Sequence, residues 1–159
     1  MRFSAKTSVA FAALLAVYLS AVSGRAATAP ADPCSLLTPA QVGSAMGGTY
    51  VAPQEKVAPR PYRNTVEGTD CTYRRGNGSG DLLFRVYFDP SAGDATTLFA
   101  KLKMFFGAGT PASGIGEEAY FDEKGALHAR KSNVRFYLEA EAGKEAALTT
   151  LGGIVAGQL

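Results

Sequence analysis

Two cysteines, a single histidine and a few paired acids are the residues of this 159-residue chain whose types could do chemistry. Cys34 could carry a lipid, act as a redox thiol or form half of a disulfide. Lipid attachment needs a Leu-x-small pattern directly before the cysteine, and Ala31, Asp32 and Pro33 break it. A thioredoxin-like site wants its second cysteine two residues on, whereas Cys71 lies 37 residues away. In an exported chain the simplest reading is a Cys34–Cys71 disulfide, with two separate thiols, one bridging to a partner chain, as the alternative.

His128 has no ligand-type neighbour at metal spacing, and paired cysteines leave no Cys/His metal site. It reads as a surface or sheet-edge histidine. A Ser-His-Asp triad would have to use it, yet Ser44 sits in GSAMG and Ser79 in GNGSG, neither a nucleophile elbow. GNGSG has no helix after it, so the dinucleotide fingerprint fails on context. Glu117–Glu118 and Asp122–Glu123 read as solvated carboxylates beside a turn, and Asp122-x-Lys124-Gly125 lacks the spacing of a calcium loop. The expectation is a protein without catalytic residues, cofactor or metal.

The elements that would position any site follow from periodicity and capping. Thr38, Pro39 and Gln41 form a helix start, with Leu37 and Val42 as its staple and Gly47–Gly48 as its stop. Residues 50–57 and 70–74 read as strands, separated by the proline-marked loop 58–68. LLFRVYF, residues 82–88, alternates strictly: Leu82, Phe84, Val86 and Phe88 inward, Leu83, Arg85 and Tyr87 outward. A helix over 94–106 follows, capped by Asp94, with Leu98, Leu102 and Phe105 as its buried stripe. Strands over 117–123, 126–131 and 133–141 come next, the last with Val134, Phe136, Leu138 and Ala140 inward and Arg135, Tyr137 and Glu139 outward. A helix over 144–156 closes the chain.

This order predicts an α+β fold, α-β-β-β-α-β-β-β-α, an antiparallel sheet with helices packed on one face. A weak β-β-α pseudo-repeat relates 68–106 to 116–155, pairing Gly68, Cys71 and Tyr73 with Gly116, Ala119 and Phe121.

Ahead of this domain, Arg2 and Lys6 precede the apolar run VAFAALLAVYL, and Gly24 and Ala26 are small residues where a signal peptidase reads. The expected leader is 1–26, followed by a flexible stretch over 27–33 and one disulfide-stapled domain over 34–159. Cleavage after Ala29 is the alternative, but it would put Pro30 first. The run is shorter than the roughly 20 apolar residues that span a bilayer, so the mature chain is expected to be soluble, periplasmic or secreted, without a stable membrane span. Of the 16 Lys and Arg, Arg2, Lys6 and Arg25 leave with the leader, so 13 face 14 acids. That balance gives nucleic-acid binding no support.

The outward residues Arg85, Tyr87, Arg135 and Tyr137, joined by His128 and Arg130, form the candidate binding face, because Tyr and Arg are favoured at binding hot spots. They are equally good solvent-facing sheet residues. Loops 58–68 and 107–116 would rim such a face. The motifs ADPCSLLTPAQVGSAMGG, GTDCTYR and PASGIGEEAYFDEKGALHARKSNVRFYLEA resemble small secreted or lipid-anchored bacterial envelope proteins, the uncharacterised family called domain of unknown function 3558. The resemblance rests on the Pro-Cys-x-Leu-Leu-Thr helix start, the cysteine before an aromatic, and a turn carrying Gly114, Gly116, Ala119 and Phe121. It departs at the missing lipobox. It implies export, a disulfide and an α+β sandwich, and transfers no catalytic residue. The functional expectation is a non-catalytic binding or accessory module whose partner is an envelope or secreted protein or a small ligand. The alternatives are a periplasmic enzyme with a cryptic site, a purely structural envelope protein, and an inhibitor of a secreted enzyme.

Overall fold

The computed structural model describes residues 26–107 and 109–159. The expected leader lies outside the described residues, apart from Ala26. Among those described, no helix is long and apolar enough to cross a membrane.

The chain enters through a 3-10 turn, Pro33–Leu36, whose first turn is closed by Asp32 accepting the Cys34 N–H at 2.9 Å. Helix α1 (Pro39–Met46) follows with the expected capping box. Gln41 N–H donates to Thr38 Oγ1 at 3.2 Å while Thr38 N–H donates to Gln41 Oε1 at 2.8 Å, satisfying two donors that a bare helix start would leave open. Strands β1 (Gln54–Ala58), β2 (Gly68–Tyr73) and β3 (Leu82–Phe88) lead to α2 (Ala92–Phe106). Its cap is Ser91, not Asp94. Ser91 Oγ accepts the Asp94 N–H at 3.1 Å, and Asp94 lies one turn inside. Then come β4 (Thr110–Pro111), β5 (Glu118–Phe121), β6 (Leu127–Lys131), β7 (Val134–Glu139) and α3 (Glu145–Gln158).

All seven strands form one antiparallel sheet in the order β1-β2-β3-β7-β6-β5-β4. The α+β class and the order of elements are as expected, with the two-residue β4 added inside the 107–116 loop. The β3–β7 pairing sets Phe84 opposite Leu138 and Val86 opposite Phe136, so the alternation of both strands delivers their apolar residues to one face. There Val42 and Met46 of α1 and Leu148, Leu151 and Val155 of α3 close the core. Each fully buried side chain of this size contributes about 1.5–3 kcal/mol relative to exposure. The Cys34–Cys71 disulfide, with Cα atoms 5.6 Å apart, fastens the chain's start to β2. Beside it the fully buried Tyr73 directs its hydroxyl to the carbonyls of Leu37 (2.6 Å) and Cys34 (2.9 Å).

Helices α1 and α3 take the expected face, but α2 lies on the other. Phe99 of α2 meets Tyr120 edge-on at 5.4 Å, and Phe106 meets His128 at 5.3 Å; both partners are outward-facing. The buried line of α2 is therefore Ala95 and Phe99, with Leu98 and Leu102 half-buried, while Phe105 of the expected stripe is 77% exposed. The physical reason is room: α1 and α3 already fill the inner face, and the outer face carries rings that need cover. The pseudo-repeat survives only as strand parity. Cys71 and Tyr73, like Ala119 and Phe121, face the inner core, but β6 separates β5 from β7 and the helices after β3 and β7 lie on opposite faces.

Candidate functional site

Between α2 and the outer face of β3, β7 and β6 runs a groove of about 320 Å³. Its floor is the alternating outward set of the sheet: Leu83, Arg85 and Tyr87 from β3, Tyr137 and Glu139 from β7, and His128 from β6. One wall is Leu102, Phe105 and Phe106 of α2; the other is Pro59–Tyr62 from the proline-marked loop. Cross-strand register explains the gathering. Arg85 stands opposite Tyr137, and Tyr137 opposite His128, on three adjacent strands. Gly68 makes the loop's return fit, because a Cβ there would lie 2.6 Å from the Tyr87 ring.

Each polar group of the floor is held by a protein partner. Arg85 donates to both carboxylate oxygens of Asp70, at 2.5 and 2.8 Å, and this pairing raises its pKa further. Tyr87 Oη donates to the Pro59 carbonyl at 3.0 Å, tying the loop to the sheet. Tyr137 Oη donates to Glu139 Oε2 at 2.7 Å. Burial, reinforced by that carboxylate, pushes the Tyr137 phenol well above its usual range.

His128 is neither at the surface nor at an edge. It is 5% exposed on a strand flanked on both sides, its ring stacked on Tyr120 at 4.8 Å and met by the edge of Tyr137 at 4.8 Å. Its Nε2 lies 3.1 Å from Asp122 Oδ2. Burial lowers the His128 pKa, a push that Asp122 opposes without reversing. For Asp122, burial acts upward, but the His128 hydrogen bond and the N–H groups of Ala126 and Lys124 outweigh it and hold the carboxyl below its ordinary value. The consistent state at neutral pH is an Asp122 carboxylate accepting from Nε2–H of a neutral imidazole, which leaves Nδ1 as a lone-pair acceptor. Tyr120 completes the cluster, its phenol pushed up to about 12 by burial and its hydroxyl without a hydrogen-bond partner among the described residues.

Four of the six candidate residues thus share one groove: Arg85, Tyr87, His128 and Tyr137. Arg135 does not. It is 2% exposed, its guanidinium bound to Asp89 at 2.5 and 2.9 Å and laid over the Tyr87 ring at 4.8 Å, and it does not line the groove. Arg130 is also outside, its side chain paired with Glu117. Of the two expected rims, 58–68 contributes Pro59–Tyr62, whereas 107–116 does not line the groove among the described residues.

Sequence reasoning missed Asp122, Tyr120 and the α2 wall. For Asp122 a signal existed: strand parity places Tyr120, Asp122 and His128 on one face of the β5–β6 hairpin, and an Asp three residues before a Gly marks a turn. Asp122 is 8% exposed, not solvated; its Oδ1 accepts from Lys124 and Ala126, closing that turn. One cluster with metal-ligand distances exists among the described residues, Asp32, Cys34 and Glu55, but its sulfur is consumed by the disulfide. A broader depression of about 680 Å³ beyond residues 60–66, along Asp94, Thr97 and Lys101, shares only Arg60 and Tyr62 with the groove.

Comparisons of the chain with protein-family models, with curated proteins and with solved structures find no match.

Proposed function

We propose that this chain is a non-catalytic, exported envelope protein that binds a small ligand in the groove between α2 and the outer sheet face. The observation that carries the reading is the composition of that groove: an apolar wall of Leu102, Phe105 and Phe106 and the floor residue Leu83 around a few fixed polar groups, in a volume of about 320 Å³. Ligand sites take this form because apolar area supplies affinity while a few placed polar atoms set orientation. Phe105 is 77% exposed and Phe106 43%, so the wall is apolar surface left open to solvent at the groove's mouth. The polar floor favours binding over chemistry. Arg85, Tyr87 and Tyr137 are already bonded within the protein, and no Ser, Thr, Cys or Lys lines the groove among the described residues. Nδ1 of His128 adds an acceptor, so the ligand class is an apolar, ring-bearing molecule with one hydroxyl or N–H donor. Export is supported by the leader pattern, by the disulfide and by the resemblance to bacterial envelope proteins.

A second reading has one observation in its favour. The Asp122–His128 pair beside a groove resembles the oriented base of a hydrolase, with Asp122 holding Nε2 and Nδ1 left as the proton acceptor. A periplasmic enzyme of that kind would lose turnover in His128→Gln and keep its ligand affinity.

The test of the binding reading uses the fluorescent apolar dye anilinonaphthalene sulfonate on the folded, oxidised protein. One saturable site is expected, weakened about tenfold or more by Leu102→Glu or Phe105→Ser, with circular dichroism unchanged. A factor of ten corresponds to roughly 1.4 kcal/mol, the scale expected when one apolar side chain no longer meets the dye. Absence of saturable binding, or equal binding by both variants, would sink the reading.

A further inference from the structure

We infer that Asn133 is a receptor for the chain's own mature N-terminus, and that cleavage after Ala26 completes the fold by placing the new α-ammonium of Ala27 on the Asn133 side chain. Asn133 lies in the β6–β7 turn and is 4% exposed. Its Oδ1 accepts from Ala27 N at 2.6 Å, and its Nδ2 donates to Ala27 O at 3.0 Å. One amide side chain thus reads both main-chain polar groups of a residue 106 positions away, as a neighbouring strand would. The amide cannot swivel, because Nδ2 also donates to the Asp89 carbonyl at 2.9 Å and the Asp89 N–H donates to the Asn133 carbonyl at 2.8 Å. Ala27 packs its methyl against the core.

The residue held in this way is the one that the small residues Gly24 and Ala26 mark as first after cleavage. Before cleavage Ala27 N is a peptide N–H with one proton to give. Hydrolysis of the Ala26–Ala27 bond adds one water, ends the leader in a carboxylate and leaves Ala27 as an ammonium, which makes a stronger, charge-assisted hydrogen bond to the same oxygen. Cleavage after Ala29 would discard Ala27 and strip two partners from a buried amide, a costly state. Seven residues on, Cys34 is tied to β2. The segment between is therefore a strap with both ends fastened.

The test has two parts. The exported protein, produced from its own precursor, is expected by intact mass to begin at Ala27; a chain beginning at Pro30 would overturn the inference. Oxidised protein is then prepared with Ala27 or Thr28 as its first residue, each with and without Asn133→Ser. The Ala27 form is expected to melt about 4 °C higher than the Thr28 form. That gap should close in the Asn133→Ser pair. Equal melting of the two unmutated forms, or a gap that persists without Asn133, would overturn the assignment. Should Asn133→Ser fail to fold, acylation of the α-amine decides. Below the melting transition it should run about tenfold slower on Ala27 than on Thr28, the factor one charged hydrogen bond supplies, and equal rates would overturn the assignment.

Discussion

His128 has lost nearly all contact with water yet keeps one carboxylate partner, and those two facts act on its proton in opposite directions. Burial acts more strongly, so the folded protein holds the imidazole proton less firmly than the unfolded chain does. Where the unfolded state binds more protons, stability rises with pH. Lowering the pH below about 6.5, the ordinary histidine value, should therefore progressively weaken the fold. The depressed Asp122 acts in the same sense further down: its stabilisation is present above the ordinary carboxyl range and disappears as pH falls through its lowered pKa. Urea unfolding at pH 7.5 and 5.0 should show a clear loss for the natural protein and a smaller one for His128→Gln, whose amide can still donate to Asp122. Equal losses would show that His128 does not carry the effect.

The junction of β3 with α2 explains why that helix crosses to the outer face. Asp89 directly follows β3, and its carboxylate is fully buried against Arg135 of β7. Asn133 takes the Asp89 main chain at the same corner. These contacts turn the chain under the outer face before Ser91 caps α2. An ion pair this deep stabilises little compared with apolar residues of equal volume, but removing one partner strands the other charge. Arg135→Met should thus cost about 3–5 kcal/mol, and Arg135→Met with Asp89→Leu should recover much of that loss. Denaturant midpoints of the two variants check it; a double variant as weak as the single one would mean that the charges also specify the corner.

At the scale of the whole molecule, three long-range ties gather the chain around the sheet: the disulfide, the β3–β7 pairing and the Asn133 clamp. The disulfide closes a loop of 37 residues, for which unfolded-chain entropy suggests about 4 kcal/mol. Cys34→Ala with Cys71→Ala should lower the unfolding free energy by about that amount. The groove should still form, because none of its lining residues belongs to the inner core that the disulfide joins. Dye binding by the cysteine-free protein at low temperature checks the separation: a folded variant without a groove would contradict it.

Strand parity, the Thr38–Gln41 cap and the Cys34–Cys71 pair were legible in the sequence because each rests on local periodicity or on the only partner available. Arg85, Tyr87 and Tyr137 were recognised as outward residues for the same reason. Periodicity names the face of an element but not what covers that face. The side taken by α2, the exposure of Phe105, the burial of Arg135 and the meeting of His128 with Asp122 depend on contacts between residues distant in the chain or across a hairpin. Those contacts were decided by competition for one filled inner face and one ring-covered outer face. The amino-acid order thus determined the sheet and its two surfaces, and tertiary packing turned the second surface into a groove.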